Sequence, residues 1–144
     1  MEIWYRSLWF MALVLGTAEI AVEPSVAQPA ERRGYLVHNL VEFANQNELF
    51  GLHPRQMAAK LARLDRDESM EGLETTTVSL QVRPSGLVVL LVQINGLADD
   101  AVASRRTRVE VQQLPNGRWE PRWAGSQFRC RRSPDSAWMG RLCP

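Results

Sequence analysis

Across 144 residues this chain has two cysteines, two histidines, two tyrosines and a single lysine, Lys60. Each scarcity removes a class of chemistry. The cysteines stand as C-x12-C rather than C-x2-C, and neither His38 nor His53 follows at a zinc-ligand spacing, so no metal and no cofactor is expected. No serine or cysteine nucleophile falls in a strand-to-helix elbow, and no catalytic residue is assigned. The apolar run Leu8–Ala18 is eleven residues long, short of the roughly 20 that span a bilayer. Internal repeats and low-complexity linkers are missing too, which leaves one folded domain.

The N-terminal stretch reads as a secretory leader. Arg6 precedes the apolar run, Glu19 and Glu23 end it, and Ser25-Val26-Ala27 offers small residues for cleavage before Gln28. The expectation is a signal peptide over 1–27 and a mature α+β domain over 28–144, exported to the periplasm, thylakoid lumen or exterior, with no stable membrane span once the leader is gone. An uncleaved leader would instead act as an anchor. In an oxidising compartment the only two cysteines, Cys130 and Cys143, are expected to pair and close a C-terminal loop.

Charge is unevenly spread. The whole chain is nearly balanced, with 17 basic and 16 acidic residues. Residues 101–144, however, carry nine arginines against three acidic groups, whereas residues 28–100 carry an acidic excess. The guanidinium fork suits carboxylate and phosphate.

Periodicity divides the mature chain into a helical front and a β-rich back. Leu36, Leu40 and Phe43, flanked by Val37, Val41 and Ala44, recur at helical spacing and predict a helix from Tyr35 to about Asn47. Pro54 suits a first helical turn. A second helix with Met57, Leu61 and Leu64 follows, ending in the polar stretch Asp65–Gly72. Gly51 makes these either a helix pair or one kinked helix. Beyond Gly72 the period becomes 2. Thr75–Arg83 puts Val78, Leu80 and Val82 on one face, while Leu87–Ile94 is almost continuously apolar, as a strand covered on both sides would be. Ser104–Leu114 forms a third strand, Asn116-Gly117 a tight turn, and Arg118–Ala124 a fourth, with Pro121 arguing for an edge. The sum is an α+β fold: a four-stranded antiparallel meander under the helices, finished by the disulfide-closed loop. Trp119 and Trp123, four apart, share a face unless a bulge intervenes.

The tail carries a resemblance. From Leu97 to Cys143, a Trp-x-Gly-x-Gln-x-x-Cys stretch (Trp123, Gly125, Gln127, Cys130) precedes Trp138 and a final Leu142-Cys143. This is similar to a family of small secreted proteins from cyanobacteria, although Arg131–Ser136 stands where that family has a glycine-rich, histidine-containing linker. The resemblance implies secretion and a common fold, and implies no activity.

Weaker signals are set aside on chemical grounds. Asp65, Asp67, Ser69 and Glu71 echo a calcium loop, but Met70 and Thr76 occupy positions that need Gly and Glu. Asp99 and Asp100 read as a turn or cap. The leading expectation is a non-enzymatic binding domain. Its surface is Arg106, Arg108, Arg122, Trp123, Arg129, Arg131 and Arg132, and its partner an anionic envelope component or acidic protein rather than nucleic acid. Oligomeric state is left open. The alternatives are a small hydrolase using His38 or His53 with Asp99 or Asp100, and a cystatin-like inhibitor module.

Overall fold

The computed structural model describes residues 29–63, 74–133 and 135–144. The leader, Leu64 and the acidic stretch 65–72 lie outside the described residues. A 3-10 turn at Ala30–Arg32 leads into β1 (Leu36–Val37), α1 (Leu40–Gln46), α2 (Pro54–Arg63), β2 (Thr75–Val82), β3 (Val88–Asn95), β4 (Val102–Gln113) and β5 (Trp119–Cys130). The strands form one antiparallel sheet in the order β1-β5-β4-β3-β2. The helices cover one face, α1 against β5 and α2 against β3 and β2.

The α+β class, the antiparallel meander and the tail disulfide agree with the sequence reading, but five strands form rather than four. The extra one is β1, taken from residues expected to begin the first helix. Asn39 is the cause: its side chain accepts a hydrogen bond from the Glu42 amide and caps a helix that starts at Leu40. Upstream of that cap Leu36 and Val37 pair with Ser126 and Gly125. The helical spacing of Leu36, Leu40 and Phe43 therefore runs across a strand-to-helix junction. Removing the cap by Asn39→Ala should cost about 1 kcal/mol in urea unfolding. The kinked-helix alternative is excluded as well: Asn47 ends α1, and Glu48 turns the chain with φ +48° before α2 begins.

Between the helices and the sheet sits a core of Ala44, Leu49, Met57, Ala58 and Leu61 against Val88, Leu90, Val92, Ile94, Val109, Val111 and Ala124. Burial of such side chains stabilises by about 1.5–3 kcal/mol each for Val, Leu or Ile, which makes this layer the main source of cohesion. Val78, Leu80 and Val82 share a face as expected; it is the helix-facing one, where they remain exposed at the sheet edge.

The fourth strand was expected to stop at Ala124; as β5 it continues to Cys130. Val111 pairs with Pro121 and Glu110 with Trp123, so Arg122 is an extra, bulged residue. The bulge reverses the side-chain alternation. Trp119 packs on the helix-side core, whereas Trp123 lies on the opposite, outer face. Pro121 is tolerated because β1 pairs only with Gly125 and Ser126, which leaves the outer edge of β5 unpaired at Pro121.

Candidate functional site

The outer face of the sheet is covered by the two ends of the described chain. Pro29–Val37 crosses it as a strap, and the tail returns to it after β5. Tail docking is fixed by Cys130–Cys143, with a Cα–Cα distance of 5.4 Å, and by paired backbone bonds of 2.8 and 2.9 Å between Phe128 and Met139. Gly140 abuts the Gly34 carbonyl so closely that a Cβ there would collide with backbone.

Beneath the strap lies an ion network. Glu110, 2% exposed, accepts hydrogen bonds from Arg32 and from Arg108 Nε at 3.0 Å. Glu31 accepts from Arg108 Nη2 at 2.8 Å and from Arg83. Burial pushes the Glu110 carboxyl up, but the bonds and charges of Arg32 and Arg108 outweigh it and hold the pKa below the usual range. Hydrogen bonding from Arg108, reinforced by Arg83, lowers that of Glu31. Arg32 also lies 5.3 Å over the Trp123 ring, which meets Tyr35 edge-on at 5.6 Å.

The seven residues expected to form one binding surface are divided among several tasks. Arg108 is consumed in the network, its side chain 12% exposed. Trp123 is buried under the strap. Arg122 projects from the bulge, 3.9 Å from Glu120. Arg131 turns back to donate to the Asp99 and Leu97 carbonyls, and exposed Arg132 lines a shallow hollow of about 220 Å³ with Met139, Arg141 and Pro144.

Arg106 and Arg129 are brought together. Each guanidinium carbon lies 4.5 Å from the Trp138 ring centroid. Arg106 also donates through Nε to Gln127 Oε1, while Gln127 Nε2 donates to the Gly34 carbonyl at 2.7 Å. Among the described residues neither arginine reaches a carboxylate. Arg129 Nε is buried without a hydrogen-bond partner. Burial, with the charge of Arg129 close by, lowers the Arg106 pKa.

The histidines do not meet the aspartates. Asp99 accepts from the Ala101 and Val102 amides at 2.7 and 2.8 Å, as a turn cap, and those bonds lower its pKa. His53 packs edge-on against Trp119 at 5.8 Å. His38 instead lines a cleft of about 290 Å³ between the helices and the inner sheet face, with Phe43, Leu61, Thr107, Ser126 and Phe128 among its walls. His38 Nε2 lies 2.8 Å from Ser126 Oγ, which lies 3.2 Å from Thr107 Oγ1. Burial, then the charge of Arg105, lowers the His38 pKa. Sequence reading missed Ser126 because it expected the fourth strand to end at Ala124.

Among the described residues no cluster of His, Cys, Asp and Glu is arranged to hold a metal ion, and no helix is long and apolar enough to cross a membrane. No family model, curated protein or solved structure matches the chain.

Proposed function

We propose that this protein is an exported domain that binds an anionic partner, and that the anion is held by Arg106 and Arg129 beside Trp138. The observation carrying this reading is that two guanidiniums pack on one indole, that among the described residues neither meets a carboxylate, and that the buried Arg129 Nε–H has no acceptor. Like charges repel, and an unsatisfied buried donor costs about 1–3 kcal/mol. A bound oxyanion relieves both, since one carboxylate, phosphate or sulfate group can accept from two arginine forks. The neighbouring basic residues, Arg122, Arg131 and Arg132, then supply attraction at longer range rather than the contact itself. The partner is an anionic envelope component or an acidic protein, met outside the cytoplasm, where a lasting disulfide belongs. The residues that carry the resemblance to secreted cyanobacterial proteins, Gln127, Cys130, Trp138 and Cys143, frame this cluster, and the proposal extends to that family.

The test is titration of the oxidised protein, starting at Gln28, with an immobilised sulfated or phosphorylated polymer at low and high salt. Binding should fall with salt, and the Arg106→Ala/Arg129→Ala pair should lose roughly tenfold or more in affinity, while Arg122→Ala loses little. Equal affinity for the double variant and the parent would sink the reading.

A further inference from the structure

The cleft on the opposite face of the sheet is separate from the arginine cluster and carries a different chemistry. We infer that it is an acyl-transfer site, in which Ser126 acts as nucleophile and His38 as its base toward small uncharged esters.

Three features of the cleft converge on this assignment. The first is the contact itself: 2.8 Å between His38 Nε2 and Ser126 Oγ is hydrogen-bond distance for a serine that donates its proton to a neutral imidazole. The second is orientation. The imidazole is stacked on Phe43, ring centroids 4.8 Å apart and planes within 14°, and the His38 amide donates to the Ala124 carbonyl at 3.0 Å. Ring and backbone are thereby held toward β5, and Thr107 Oγ1, 3.2 Å from Ser126 Oγ, supports the serine from β4. The third is space: about 290 Å³ with Phe43, Leu61 and Phe128 as apolar walls beside the hydroxyls, enough for a short acyl group and its alcohol. Burial and the charge of Arg105 favour the neutral, proton-accepting imidazole near pH 7.

The step balances within the cleft. Ser126 Oγ attacks the ester carbonyl carbon and its proton passes to His38 Nε2. The carbonyl C–O bond to the leaving alcohol then breaks, and that oxygen takes the proton back from His38. The products are acyl-Ser126 and the free alcohol. Water, activated by the same imidazole, hydrolyses the acyl-serine. None of the described lining residues is a carboxylate, so among them none stabilises an imidazolium as the third member of a catalytic triad does. Deacylation is accordingly slow, and the acyl-serine accumulates.

The oxidised protein from Gln28 would be treated with p-nitrophenyl acetate and mapped by mass spectrometry. An acetyl group of roughly 42 Da should appear on Ser126 of the parent protein. Ser126→Ala should lose it, and His38→Gln should slow its appearance roughly a hundredfold, as removal of a general base does. The rate should rise with pH with its midpoint below the ordinary imidazole value; among the described residues Arg105 of β4 is the charged one lining the cleft beside His38. Lys60, the only lysine, and the new N-terminus provide the background acetylation of a merely accessible amine. Label confined to those amines in the parent, or Ser126 labelled equally fast without His38, would overturn the assignment whatever the variants' stability.

Discussion

Replacing Glu110 with glutamine is expected to cost about 3 kcal/mol of unfolding free energy, the lower end for breaking a buried ion pair by removing one partner. The carboxylate is the point at which Arg32 of the strap and Arg108 of β4 meet. Without it Arg108 keeps Glu31, but Arg32 has only the Trp123 ring and the acceptor of a neutral amide. Arg32 is 25% exposed and regains some water, which is why the lower end of the range applies. Urea unfolding of Glu110→Gln, Arg32→Ala and the double variant should give a coupling energy well above zero. Additive losses would mean that the pair does not act as a unit. The same carboxylates set an acid limit. Glu110 and Glu31 have folded-state pKa values below their unfolded ones, so the stability they confer is fully present above the unfolded value and is lost as pH falls through the folded one. The protein should hold its stability near neutrality and weaken below about pH 4, with a shallower acid slope in Glu110→Gln.

The second large effect is expected from Cys143→Ser. The bond closes a loop with a sequence separation of 13, for which restriction of the unfolded chain contributes about 3 kcal/mol. Its loss also has a local consequence. Trp138, Met139 and Gly140 all fall inside the loop, and the restraints that remain include the Phe128–Met139 backbone pair, the contact with Gly34 and the packing of Trp138 on Arg106 and Arg129. The near-ultraviolet dichroism of the docked indole should therefore weaken, and anion affinity should fall with it because Arg106 and Arg129 lose the ring they share. A variant that keeps both signals would show that the tail docks without its covalent tie.

What the sequence disclosed follows the range of the interactions concerned. Alternation at Val78, Leu80 and Val82, the apolar run around Leu90 and the Asn116-Gly117 turn are local, and they led directly to the meander. The cap at Asn39 is local too, but the helical spacing continues through it and hides it. Pro121 gave the only hint of trouble in the last strand; the bulge beside it, at Arg122, depends on how Glu110 and Val111 are paired opposite, which the strand's own residues do not reveal. Past the bulge, Gly125–Cys130 shows no clean alternation because helices cover one side and strap and tail the other. Arg106 and Arg129 become neighbours only once that register is set, and Gln127, which links Arg106 to the strap, is marked only by the Trp-x-Gly-x-Gln-x-x-Cys stretch and by no periodicity. His38 and Ser126 lie 88 residues apart, and nothing near either one announces the other.

The strap has a further consequence, for the order in which the molecule assembles. Its bonds join residues 78 apart at Arg32–Glu110 and 93 apart at Gly34–Gln127, whereas each hairpin of the meander joins sequence neighbours. Short loops close first, so the hairpins form early and the strap docks late. A chain made from its N-terminus onward thus carries β1 without its pairing strand until β5, its last strand, has emerged. Until then β1 has no strand to pair with, and the outer face lacks the Trp123 ring on which Arg32 and Tyr35 pack.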